Sequence, residues 1–185
     1  MFQAQPLQIA GLLQILPETV MHRHGWVSAV YNDAKLGELG IHDRFVDDRI
    51  IYLDKPGTVR GLRYQVQPAE QALLLRPTRG KLFVAAVDLR RGSPTFGRSA
   101  TITLDYMAGN QLYATAGFAL GWCSLEPATE FLLKASLDHR PDLMRGIDWR
   151  DPTLKIEWPV RAADAIISPE DVDQPQLSEQ TDLPG

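Results

Sequence analysis

Leu82-Phe83-Val84-Ala85-Ala86-Val87 is an unbroken apolar run inside the segment Lys81 to Leu89, and it is closed by charge. Such a run reads as a central strand covered on both faces. Ser99 to Leu104 alternates instead, with Ala100, Ile102 and Leu104 on one side and Ser99, Thr101 and Thr103 on the other. That is a strand with one buried and one half-solvated face. Gln111 to Thr115, Phe118 to Ser124 and Thr129 to Ser136 are further short runs, separated by Arg91-Gly92-Ser93-Pro94, Ala108-Gly109-Asn110 and Glu126-Pro127. Many short strands between turn signals predict an all-β sandwich or barrel. Helix signals are few. Asn32 caps a short helix to about Leu39 with Gly40 as its stop, and Ser168-Pro169-Glu170-Asp171 reads as a second helix start.

The chain has 185 residues, of which 44% are hydrophobic and 23% charged. This predicts one domain over residues 1–175 with enough apolar material for a core. No lysine or arginine follows Arg161, while acids do. Residues 176–185 are therefore expected to form a flexible acidic tail. The net charge is −4 with scattered cations, which argues against nucleic acid as a partner. No run reaches the length of a membrane span and no signal-peptide pattern opens the chain, so no membrane partner is expected and a cytoplasmic location is the default. Cys123, the single cysteine, sits in an apolar run and reads as a buried inert thiol.

Arg60-Gly61-Leu62-Arg63-Tyr64-Gln65 resembles the Arg-Gly-Leu-His-Tyr-Gln motif of the dTDP-4-dehydrorhamnose 3,5-epimerases. The resemblance runs from about Gly25 to Pro175. Its other anchors include the block Val87 to Gly97 (Val-Asp-Leu-Arg-Arg-Gly-Ser-Pro-Thr-Phe-Gly), Gly117-Phe118-Ala119, Glu130-Phe131-Leu132, Arg145-Gly146-Ile147 and Glu157-Trp158-Pro159. It implies a cupin jelly-roll barrel with short peripheral helices. It also implies a homodimer in which the N-terminal segment helps complete the neighbouring subunit. The histidines His22, His24, His42 and His139 lie outside the strands expected to line the barrel, so neither a metal nor another cofactor is expected.

Epimerisation beside a ketone needs a base, an acid and a group that stabilises the enolate. The resemblance places these on residues that differ here. The family's basic histidine falls on Arg63, which stays protonated and cannot take a proton. Its tyrosine falls on Leu133, its lysine on Leu73, its barrel aspartate on Val84 and a further histidine on Leu120. Arg60, implied to meet a diphosphate, is retained, and so is Asp171. If Asp171 still faces residue 63, the family's His–Asp dyad becomes an Arg–Asp pair.

These replacements predict a barrel lined by aliphatic groups, either filled in or open to a small, largely apolar ligand. The expected ligand-binding residues are Arg60, Arg63, Leu73, Val84, Leu120 and Leu133. The candidate catalytic residues are Arg63, Tyr64, Asp47, Asp48 and Asp171, with Tyr64 or the Asp47-Asp48 pair to assist proton transfer. Three functions follow in order: a repurposed small-molecule protein, an isomerase or cyclase if active; a non-catalytic relative of a deoxysugar enzyme; and a nucleotide-sugar 3,5-epimerase that uses other residues.

Overall fold

A computed structural model describes residues 2–184. The strands are β1 (Gln3–Pro6), β2 (Leu12–Leu16), β3 (Thr19–His22), β4 (Gly25–Ser28), β5 (Asp47–Leu53), β6 (Thr58–Gln65), β7 (Leu73–Arg79), β8 (Lys81–Asp88), β9 (Ser99–Asp105), β10 (Gln111–Ala114), β11 (Phe118–Ser124), β12 (Thr129–Ala135), β13 (Met144–Gly146) and β14 (Ile166–Ile167). One sheet runs β1-β2-β10-β7-β12-β5, the other β13-β6-β11-β8-β9 with β14 beside β6. β3 and β4 form a separate hairpin.

β8 shows why its sequence is apolar throughout. Leu82, Val84 and Ala86 point into the core between the sheets, with Leu12, Leu75, Leu104 and Phe131. Ala85 and Val87 point the other way, into a second cluster with Leu62, Leu89, Ala119 and Ile147. Residues 154–183 cover that outer face through Leu154, Ile156, Trp158, Leu177 and Leu183. On β9 the alternation is as expected: Ala100 and Leu104 are buried, while Thr101 and Thr103 are exposed.

The first helix is a short one, α1 (Asp33–Gly37), and the Asn32 side chain accepts from the Lys35 N–H at 3.0 Å. The second expected helix is only a 3-10 turn, Pro169–Asp171. The Ser168 hydroxyl donates to the Asp171 carboxylate at 2.6 Å rather than capping the backbone. The C-terminal segment lies against the barrel. The Leu177 N–H donates to Asp151 at 2.8 Å, Gln180 donates to the Gly146 carbonyl at 2.6 Å, and Asp182 pairs with Arg145 at 2.8 Å. Its charge conceals that Leu177 and Leu183 are apolar anchors for the outer cluster. Among the described residues no helix is long and apolar enough to cross a membrane.

The block from Val87 to Gly97 has a physical reason visible only in three dimensions. Asp88 is fully buried, and its two oxygens accept from Arg90 Nε and Nη2 at 2.8 Å each and from the Ser93 and Thr95 hydroxyls at 2.6 Å each. Arg90 then stacks on Phe118, 4.6 Å from the ring centre, and donates to the Ala10 carbonyl at 2.7 Å. Gly117 is needed because a Cβ there would collide with the Arg90 stem. Burial alone would raise the Asp88 pKa, but these hydrogen bonds outweigh it and hold the carboxyl well below its usual range. A depressed carboxylate pKa stabilises the fold above the unfolded value, near 3.9, and this contribution is lost as pH falls through the folded value. Asp88→Ala strands Arg90 and two hydroxyls and should cost about 3–5 kcal/mol in chemical denaturation at neutral pH. A loss below about 1 kcal/mol would show that the loop holds itself.

Candidate functional site

The site begins with a misfit in β6. Arg60 and Arg63 are an odd number of residues apart, so regular alternation would send them to opposite faces. Opposite them on β11, Leu120 pairs with Arg63 and Trp122 pairs with Arg60. Three steps on β6 thus match two on β11, and the extra residue forms a bulge. Gly61 permits it, with φ of +99°, and a Cβ there would stand 2.6 Å from the Leu120 carbonyl oxygen. Both arginines consequently border one cavity, while Leu62 between them is buried on the outer side.

That cavity is open, with a volume of about 500 Å³. Leu73, Phe118, Leu120, Trp122, Leu133 and Ile51 form its apolar part. Its polar part is Arg60, Arg63, Asp47, Arg49, Gln65, Gln71, His139 and Glu170. Asp47, Arg49 and Ile51 alternate along β5, which brings all three to one face.

Electrostatics organise one wall. Arg63 Nε donates to Asp171 Oδ1 at 2.7 Å, and Asp171 is only 1% exposed. The expected Arg–Asp pair is therefore present, with Ser168 as the carboxylate's second donor. Glu170 lies 3.5 Å from Arg60 and 3.7 Å from Arg63 with a largely exposed side chain, so it contacts both loosely. Arg49 is tied to Asp47 at 2.9 Å.

Of the residues selected from the sequence, Leu73, Leu120, Leu133, Arg60 and Arg63 border the cavity. Val84 does not. It is completely buried, packed with Leu82, Leu104 and Phe131 in the filled part of the interior. Asp48 is likewise outside and is paired with Lys134 at 2.6 Å. Asp171 stands behind Arg63 as its counter-ion. Tyr64 borders the cavity, but its hydroxyl donates to the Asp182 carbonyl at 2.9 Å and to Gln180 at 3.1 Å. Burial, then Asp182, pushes its pKa up to about 12, which leaves it a poor proton donor. Burial also pushes the Cys123 thiol up to about 11, as suits an inert core thiol. No group of three histidine, cysteine, aspartate or glutamate side chains is placed to hold a metal among the described residues.

His139 lies outside the strands, as expected, yet it borders the cavity, which sequence reasoning did not anticipate. It follows β12 on a loop, and its approach depends on contacts distant in sequence. Gln65 Oε1 accepts from the Arg140 N–H at 2.6 Å, and Gln65 Nε2 donates to the Asp138 carbonyl at 3.3 Å. Gln71 donates to the Leu137 carbonyl at 2.6 Å. Two glutamines at the cavity wall thus fasten the backbone on both sides of His139.

Two packed sheets around an open, partly cationic cavity suit a cupin barrel. The chain belongs to the dTDP-4-dehydrorhamnose 3,5-epimerase family, whose profile matches residues 6–179. The enzyme of that name from Sinorhizobium fredii is 35% identical over 175 residues, covering 95% of this chain and 89% of its own. The Pseudomonas aeruginosa enzyme is 38% identical over 162 residues, covering 87% and 88%. Among solved structures, the Bacillus anthracis dTDP-4-dehydrorhamnose 3,5-epimerase with TDP and PPi bound superposes with a TM-score of 0.92 at 31% identity, covering 96% of this chain and 100% of the other. A Legionella pneumophila 3,5-epimerase in complex with dTDP-4-keto-L-rhamnose gives 0.91 at 32% identity, covering 97% and 94%. The cupin jelly-roll expectation agrees with these matches.

The Arg63–Asp171 pair makes a testable demand. Arg63→Leu leaves a buried carboxylate without its cation and should cost about 2 kcal/mol, a value reduced for the partial exposure of Arg63. Arg63→Leu with Asp171→Leu should recover most of that loss in thermal melts. A double variant no more stable than the single one would show that Asp171 is not held by Arg63.

Proposed function

We propose that the cavity binds a dTDP-linked 4-keto-6-deoxy sugar and that the protein moves a proton at a carbon beside the keto group. It would be an isomerase of the family's class working with a changed set of side chains. The observation that carries this reading is the placement of Arg60 and Arg63 on one wall of an open cavity, in a chain whose relatives bind TDP and keto sugars. A diphosphate suits two adjacent guanidiniums, since Arg presents several fixed donors to phosphate oxygens. Glu170 contacts both arginines only at 3.5 and 3.7 Å, so an incoming diphosphate can exchange with it. The sugar would then lie towards Leu73, Leu120 and Leu133.

The leucines favour a second reading, in which a more apolar ligand replaces the sugar nucleotide and the protein has a new task. The polar wall and the degree of relatedness weigh against it. Incubation with dTDP-4-keto-6-deoxyglucose in deuterated water separates the two. Deuterium at carbon 3 or 5 above the protein-free background is the expected outcome. Exchange equal to background would leave the apolar-ligand reading in its place.

The reading includes a homodimer. β1 and β2 pair within their own sheet, whereas the β3–β4 hairpin pairs only with itself and exposes Val20, Met21 and Val27. β5 exposes Ile50 and Tyr52. Exposed apolar side chains on an unpartnered hairpin and on an edge strand suit burial against a second copy. Sedimentation should give twice the chain mass, and Met21→Asp with Val27→Asp should give monomers. Wild-type protein sedimenting as a monomer at micromolar concentration would refute the dimer.

A further inference from the structure

Proton abstraction beside a ketone needs a base that reaches the cavity, is unprotonated at working pH and has a free lone pair. Most titratable groups bordering this cavity fail one condition. Arg49, Arg60 and Arg63 are hydrogen-bond donors with no acceptor site to offer a proton. Asp47 is bound by Arg49 at 2.9 Å, and Glu170 sits by two arginines. The Tyr64 hydroxyl is taken up by the C-terminal segment. His139 meets all three. It borders the cavity, and no hydrogen bond or ion pair engages its imidazole among the described residues.

We propose that His139 is the catalytic base, held at the cavity wall by Gln65 as a positioning residue. This rests on the keto-sugar reading above. The base of the site would thus have moved from a strand to a loop. Gln65 is buried and brackets His139 by bonding to the residues before and after it. The step is a simple transfer. The carbon–hydrogen bond beside the ketone breaks, and the proton passes to the imidazole. The electron pair moves into an enolate whose oxygen is stabilised by Arg49 or Arg63. The imidazolium then returns a proton to the carbon or exchanges it with water.

The charged groups facing His139 are Asp47 and Arg49 from β5 and Arg63 from β6. Arg140 on its own loop is turned to Asp142 at 2.8 Å. Burial and then Arg49 lower the His139 pKa, Asp47 opposes them, and the net direction is down from 6.5. The imidazole is therefore a neutral base at pH 7.

Deuterium incorporation into dTDP-4-keto-6-deoxyglucose, measured from pH 5 to 8, tests the assignment. Wild-type exchange should fall on the acid side through a pKa below 6.5. His139→Asn should reduce exchange about 100-fold and abolish that limb, while dTDP affinity changes less than threefold and melting stays near wild type. Exchange in His139→Asn within threefold of wild type, or an unchanged acid limb, would overturn the role of His139 and leave the keto-sugar reading intact. Wild-type protein that does not exchange at all would overturn both. A variant that loses exchange together with dTDP binding would mark His139 as a binding residue and overturn the base assignment.

Discussion

One extra residue in β6 determines the character of the site. Without the bulge at Gly61, strand parity would place either Arg60 or Arg63 outside the barrel. With it, two guanidiniums share a wall, and Leu62 is left to pack outwards against Ile147 and Leu154. The constraint on Gly61 is steric on both counts, a positive φ and the closeness of the Leu120 carbonyl. The Arg-Gly-Leu string is thus a geometric device, and the residue types on either side of the glycine follow from the faces it assigns.

The rest of the chain supports that wall. Asp171 holds Arg63 from behind, and it is delivered by the 3-10 turn at Pro169–Asp171. The C-terminal segment secures this turn indirectly by binding Asp151, Gly146 and Arg145 and by packing Leu177 and Leu183 on the outer cluster. At the other end, the Asp88–Arg90 knot fixes the loop before β9 and joins it to Phe118, which borders the cavity. Buried carboxylates with complete sets of donors are favourable where isolated ones would be costly. Here they convert long loops into fixed walls.

Much of the fold was legible because strands announce themselves by period. β8 and β9 were readable from continuous and alternating apolar patterns, since the two sheet faces impose those patterns directly. The Arg63–Asp171 pair was legible through the resemblance alone. Val84 was misjudged because inward direction does not guarantee access: it faces in, yet Leu82, Leu104 and Phe131 fill the space around it. His139 was passed over because its place depends on Gln65 and Gln71, bonds that join residues over sixty positions apart. Period carries no information about such loops. Period is equally silent about the C-terminal segment, whose charges are frequent but whose Leu177 and Leu183 pack on the outer cluster.

The account stands on the claim that the arginine wall is an anion site for a deoxythymidine diphosphate. Calorimetric titration of the wild-type protein with dTDP tests this most directly. The account predicts saturable binding at one site per chain, weakened by salt and by Arg60→Ala, with the variant's melting temperature unchanged. Failure of correctly folded wild-type protein to bind dTDP at millimolar concentration would contradict it.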